Sequence, residues 1–244
     1  MRKQIPNIIT LLNLLCGVLS IFSLLYLHKP ALASLFIILG AVFDFFDGMT
    51  ARLLKVSSPI GKELDSLSDV VSFGVAPSFI ACYTLASKGC NMFVSVIPLL
   101  MALLSSYRLA KFNLDLRQTD NFIGLATPAN AFIWLSLPLI HLLSENNISL
   151  WFLQDKGEFF SLLYNILSSV YFIVPISLVC CWLLVAEIPM FSLKFHSLRW
   201  ADNKIRFVFI IVSALLLILF YWGAIPMIIL LYIVLSIINN LINK

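Results

Sequence analysis

Apolar runs of about twenty residues recur along this chain, beginning with NIITLLNLLCGVLSIFSLLYL at residues 7–27. An α-helix rises about 1.5 Å per residue, so each run can cross a hydrocarbon core of about 30 Å. The spans fall near 7–27, 31–54, 60–87, 92–113, 127–144, 160–186, 205–221 and 224–242. A membrane β-barrel would instead show short alternating segments. The expected fold is therefore an all-α, polytopic transmembrane bundle of about eight spans. Composition agrees: 61% of the 244 residues are hydrophobic and 11% charged, where soluble domains sit near a half and a quarter. No small-residue cleavage site follows the first span and a second comes at once, so it reads as a retained helix. No linker, low-complexity tract or internal repeat divides residues 1–244, which read as a single membrane domain.

Charge sets the expected orientation. With the N-terminus inside, the cytoplasmic ends collect Arg2, Lys3, Arg52, Lys55, Lys62, Arg108, Lys111, Arg117, Lys194, Arg199, Lys204, Arg206 and Lys244. The opposite side keeps Lys29, Lys88 and Lys156. That asymmetry is the positive-inside pattern. The net charge of +4 calls for no nucleic acid; anionic membrane lipids are the natural partner. Lys194, Arg199, Trp200, Lys204 and Arg206 read as a basic cytoplasmic loop with an aromatic belt residue. Pro138, Pro175 and Pro226 are expected to kink spans. The five cysteines form no CxxC pair, and His28, His141 and His196 match no nucleophile–base pattern.

Against this background, FDFFDGMTARLLKVSSPIGKELDSLSD (residues 43–69) is anomalous. Asp44 and Asp47 share one helix face by an i,i+3 spacing, and Asp65 and Asp69 by i,i+4. Ser57-Ser58-Pro59 offers a hydroxyl N-cap followed by proline at the first helical position. One helix therefore ends near Lys55, the next begins near Pro59, and the two acidic faces meet at the membrane boundary. Four converging carboxylates repel one another, a repulsion relieved by protonation or by a cation. Oxygen ligands suit Mg²⁺, Mn²⁺ or Ca²⁺, and four are enough for two metals about 4 Å apart, a clamp for a phosphoryl centre. Gly48 leaves room beside Asp47, Arg52 can donate to phosphate oxygens, and Gly61 lies where helix N-terminal amides face an anion. A cation or proton pathway is the alternative use of intramembrane acids, but it has no need of Gly48, Arg52 and Gly61.

The stretch Asp44-x₂-Asp47-Gly48-x₂-Ala51-Arg52-x₈-Gly61-x₃-Asp65-x₃-Asp69 resembles the signature of the CDP-alcohol phosphatidyltransferases. That resemblance implies transfer of a phosphatidyl group from a CDP-linked lipid to an alcohol, with release of CMP. It implies two divalent cations, Mg²⁺ or Mn²⁺, bridged by Asp44 and Asp65 and completed by Asp47 and Asp69, with Asp69 also the general base. Gly48, Ala51, Arg52, Ser58 and Gly61 would face CDP-diacylglycerol, and Asn7-Ile8-Ile9-Thr10 matches the family's N-terminal nucleotide-contacting turn. A homodimer and a bacterial cell membrane also follow from the resemblance, which covers about the first 131 residues; the core is expected over 1–186, and the charge asymmetry puts the active site at the cytoplasmic face. Residues 187–244 would add the basic loop and a final helix pair.

Three further stretches bear on the alcohol. VVSFGVAPS (70–78), YRLAKFN (107–113) and FIGLATPANA (122–131) resemble blocks of the family's phosphatidylserine synthases, with Lys111, Ala126 and Asn130 as departures. Serine carries a carboxylate, and Arg108, Lys111 and Asn113 lie at the depth of the acids, so they are the expected serine-binding residues. Glycerol 3-phosphate or inositol phosphate would be the alternative acceptors. No His-x-Lys triplet occurs, which argues against a covalent phosphatidyl-histidine route.

Overall fold

The structure, a computed structural model, describes residues 4–56, 58–115, 122–148, 150, 157–191 and 203–242. The readings of Arg2, Lys3, Ser57, Arg117, Lys156, Lys194, His196, Arg199, Trp200 and Lys244 lie outside the described residues. Eleven α-helices follow one another among the described residues: α1 (Gln4–Leu25), α2 (Pro30–Leu53), α3 (Pro59–Asp69), α4 (Ala76–Ser87), α5 (Met92–Ser95), α6 (Leu100–Leu114), α7 (Thr127–Glu145), α8 (Glu158–Leu167), α9 (Val170–Val185), α10 (Lys204–Phe220) and α11 (Ala224–Ile242). Two dipeptide strands, β1 (Phe122–Ile123) and β2 (Pro189–Met190), pair antiparallel and clip the start of α7 to the chain after α9.

Five helical stretches are long and apolar enough to cross a membrane, six if the bent α8–α9 pair is one span. The 38-residue stretch Lys204–Leu241 among them is folded back on itself. The rings of Phe209 on α10 and Tyr232 on α11 lie 5.8 Å apart on either side of the Tyr221–Gly223 turn. The run expected over 160–186 is broken instead by a 60° bend between α8 and α9. The break falls at Ser168–Ser169, while α9 runs on through Pro175. Pro226 sits in the first turn of α11, where its missing N–H removes no intrahelical bond.

The helices that carry the acids are held to α1 at backbone distance. Contacts pair Thr10 with Asp47 and Asn13 with Gly40, so α1 and α2 run antiparallel. Ser68 Oγ lies 3.2 Å from the Thr10 carbonyl and Ser72 Oγ donates to the Asn13 carbonyl at 2.9 Å, so α3 runs alongside α1 in parallel. Between α3 and α4 the chain makes a π-helical turn, Val70–Val75, that keeps the two in one line while resetting the register. In lipid, where apolar surface alone does not drive helices together, such contacts rest on small residues and interhelical hydrogen bonds. Gly17 meets the π-turn so closely that a Cβ there would lie 2.8 Å from the Ser72 Cα. The core lies deeper, with α7 at its centre and Trp134 fully buried.

Gly17→Ala is therefore expected to destabilise the fold by about 1–3 kcal/mol, because the clash is with backbone that cannot turn aside. Thermal unfolding in detergent checks it; an unchanged midpoint would contradict the close approach.

Candidate active site

The first acid pair sits on the last turns of α2 and the second on α3. Ser58 takes the N-cap of α3, accepting the Gly61 N–H at 3.0 Å, with Pro59 at the first helical position. This cap fixes where α3 begins and hence which face Asp65 and Asp69 occupy. Carboxylate oxygens of Asp44, Asp47 and Asp65 all come within 4.8 Å of one another, and Asp44 and Asp65 are close enough to interact electrostatically. Asp69 stands one turn beyond this trio, close enough to feel the charge of all three.

One face of α1 holds the acids in place. Asn7, Thr10 and Asn13 follow at i, i+3 and i+6 and so lie along a single stripe. Thr10 Oγ1 donates to Asp47 Oδ2 at 2.6 Å, and Asn13 Nδ2 donates to Asp69 Oδ1 at 3.2 Å. Asp47 is only 7% exposed and Asn13 not at all. Asn13 escaped the sequence reading, although an amide in so apolar a run was itself a signal.

A cavity of about 280 Å³ opens beside the trio. Of the expected nucleotide-contacting residues, Asn7, Thr10, Gly48, Ala51, Ser58 and Gly61 line it, with Pro6, Val56, Lys62, Asp47 and Asp65. Ile8 and Ile9 do not line it, and Ile8 is 56% exposed. Arg52 is exposed near this cavity, and its Nε donates to the Gly48 carbonyl at 3.0 Å. Beyond its chain neighbours and the backbone of its own helix turn, a Cβ at Gly48 would meet no protein atom within 4 Å. Packing therefore does not require glycine there, which leaves room for a ligand as its physical reason. An all-carboxylate oxygen set converging beside such a cavity fits a hard divalent cation.

The three residues expected to read serine separate. Arg108, on α6, is buried at 8% exposure, donates from Nη1 to Thr127 Oγ1 at 3.2 Å, and lies close enough to Asp69 to interact with it electrostatically. Lys111 pairs instead with Glu187 at 2.9 Å, tying α6 to the segment before β2. Asn113 Nδ2 donates to Ser66 Oγ at 2.9 Å and its carbonyl accepts from Lys62 Nζ at 2.9 Å, so it fastens α6 to α3. Glu187 lies 76 residues from Lys111, and only the tertiary fold reveals that partner.

The sequence model of the CDP-alcohol phosphatidyltransferase family matches residues 3–155, and the chain belongs to that family. Among curated proteins, it is 45% identical over 132 residues to the CDP-diacylglycerol–serine O-phosphatidyltransferase of Bacillus subtilis, covering 52% of this chain and 70% of that protein. The protein of that name from Saccharomyces cerevisiae is 44% identical over 121 residues, 47% of this chain and 43% of its own length. That of Methanocaldococcus jannaschii is 35% identical over 133 residues, 53% and 57% respectively. The alignment thus spans about half the length of most of these relatives.

Two substitutions separate packing from site chemistry. Gly48→Ala is expected to stabilise the fold by about 0.5–1 kcal/mol, since its methyl enters open space within a helix. Thr10→Val, which strips the donor from buried Asp47, is expected to cost about 1–3 kcal/mol. Equal thermal shifts for the two would contradict this assignment.

Proposed function

We propose that this chain transfers the phosphatidyl group of CDP-diacylglycerol to the hydroxyl of L-serine, giving phosphatidylserine and CMP. The observation that carries the reading is the convergence of Asp44, Asp47 and Asp65 beside a cavity lined by the motif's own glycines, with Asp69 one turn away. The activity for which the relatives are named supports serine as acceptor.

Asn7, Gly48, Ala51, Ser58 and Gly61 cradle the CDP group, with Ile8 and Ile9 contributing through the backbone of the same turn. Arg52, now turned onto the Gly48 carbonyl, has a planar fork to offer phosphate oxygens. Asp44, Asp47, Asp65 and Asp69 would hold two divalent cations, Mg²⁺ or Mn²⁺, which would supply charge neutralisation at the phosphoryl group. Asn13 occupies Asp69 Oδ1 and leaves the other oxygen to take the proton of the serine hydroxyl. The serine oxygen bonds to the phosphatidyl phosphorus as the bond to CMP breaks, and CMP leaves with the bonding pair. Arg108 holds the serine carboxylate; Lys111 and Asn113, engaged by Glu187, Ser66 and Lys62, brace the helix that presents it.

The same reading takes the chain as one membrane domain crossing eight times, with the N-terminus and the acids on the cytoplasmic side of the cell membrane. The gathering of Arg52, Lys55, Lys62, Arg108 and Lys111 at the acid-bearing end supports that orientation. It also includes a homodimer, whose mass light scattering in detergent would read directly.

The test is CMP release by the purified full-length chain in detergent with CDP-diacylglycerol and Mn²⁺ or Mg²⁺. Serine-dependent release is expected, with a fall of at least about a hundredfold in Asp69→Asn and loss on chelation of the metal. Release with glycerol 3-phosphate or inositol phosphate but not serine would overturn the acceptor. No release with any acceptor, together with cation flux that survives Arg52→Ala, would replace the enzyme by a transporter.

A further inference from the structure

Behind Asp69, where α6 crosses the start of α7, three buried polar groups have no hydrogen-bond partner among the described residues: Ser105 Oγ, Arg108 Nε and Asn130 Nδ2. Ser105 and Asn130 are fully buried and Arg108 is 8% exposed. Native proteins seldom leave such groups unpaired, and each calls for a water, an ion or a ligand. The three are related in space. Arg108 and Thr127 fix the crossing through their 3.2 Å hydrogen bond. Ser105 lies one turn deeper than Arg108 on the same face of α6, and Asn130 one turn along from Thr127 on the same face of α7. The π-turn packs against both helices and presses Gly74 onto Ser105, where a Cβ would come within 3.0 Å of the serine Cβ.

The polarity of the unpaired set is one-sided. Arg108 Nε can only donate. Asn130 Oδ1 accepts the Trp134 indole N–H at 3.1 Å, which fixes the amide and leaves its Nδ2 as a second pure donor. Ser105 can donate as well. A guanidinium N–H and an amide N–H that can only donate, beside a hydroxyl that can donate, describe a site for an anion. Arg108 also interacts electrostatically with Asp69 and with Tyr232 of α11. Helix α11, outside the matched family region and packed on α7, thus reaches this layer.

We propose that Arg108, Asn130 and Ser105, with Thr127 orienting the guanidinium, form the subsite for the carboxylate of the amino-acid acceptor. Selectivity for serine over its decarboxylated analogue, ethanolamine, arises in this layer. The inference rests on the reading of the site as a serine phosphatidyltransferase and adds the residues that define its acceptor. Asn130 is one of the departures from the resembled sequence block, so its donor is this chain's own contribution, and its loss weakens serine binding without abolishing turnover.

Asn130→Asp is the discriminating variant. It keeps an oxygen for the Trp134 indole but replaces the free donor with a carboxylate oxygen that faces the bound carboxylate. Steady-state CMP release by the full-length variant is expected to show the KM for L-serine raised at least about tenfold. The KM for CDP-diacylglycerol should stay within about twofold, and the preference for L-serine over ethanolamine should fall by at least about tenfold. Thr127→Val should move the same parameters in the same direction, and the melting temperature in detergent confirms that each variant is folded. Should Asn130→Asp not fold, Asn130→Ala carries the test, with a smaller rise in the serine KM. An unmoved serine KM in folded variants, or a parallel change in both KM values, would overturn the subsite. Failure of the unsubstituted chain to release CMP with serine would instead overturn the reading beneath it.

Discussion

The geometry of this protein depends on keeping four carboxylates together within a bundle of apolar helices. Their mutual repulsion and the cost of removing them from water both oppose the arrangement. The opposing forces come from α1, which contributes no charge among its described residues. Thr10 and Asn13 donate to Asp47 and Asp69, while the carbonyls of the same two residues accept from Ser68 and Ser72. Each of these residues thus meets an acid with its side chain and anchors α3 or the π-turn with its backbone. Glycines at 17 and 40 allow the approach by removing side chains where helices touch. An apolar helix with three polar positions on one face thereby holds the acids in place.

Around that centre the structure divides the labour. A cavity between α1, α2 and α3 faces the glycines of the motif, and Gly48 opens into space that packing leaves empty. Arg108, hydrogen-bonded to Thr127, lies within electrostatic reach of Asp69, and α11 reaches the same guanidinium through Tyr232. The chemistry proposed here needs a nucleotide-linked donor and a charged acceptor to reach one phosphorus from different sides. The cavity meets Asp47 and Asp65 while the buried guanidinium lies near Asp69, an arrangement suited to that requirement.

Much of this was legible in the sequence because it is local. Aspartate spacing and the Ser58-Pro59 cap act within one or two helical turns, and the helix pair they specify is the one observed. The bend before α9 was not legible: Pro175 is the conventional breaker, yet the chain turns at two serines whose intrinsic signal is weak. The π-turn at 70–75 carries no distinctive residue pattern and follows from fitting α3 and α4 to α1 and α6 at once. Lys111 and Arg108, three residues apart and alike in charge, part company only because Glu187 comes from far along the chain to meet one of them. Long-range pairing of that kind leaves no trace in spacing.

The account stands most directly on the acids acting together as a binuclear cation centre. Electron paramagnetic resonance of the purified chain titrated with Mn²⁺ measures this without turnover. The account predicts two bound ions per chain with the spin coupling of close neighbours, about 4 Å apart, and loss of that coupling in Asp44→Asn or Asp65→Asn. Weak, uncoupled Mn²⁺ binding that neither substitution alters would contradict it.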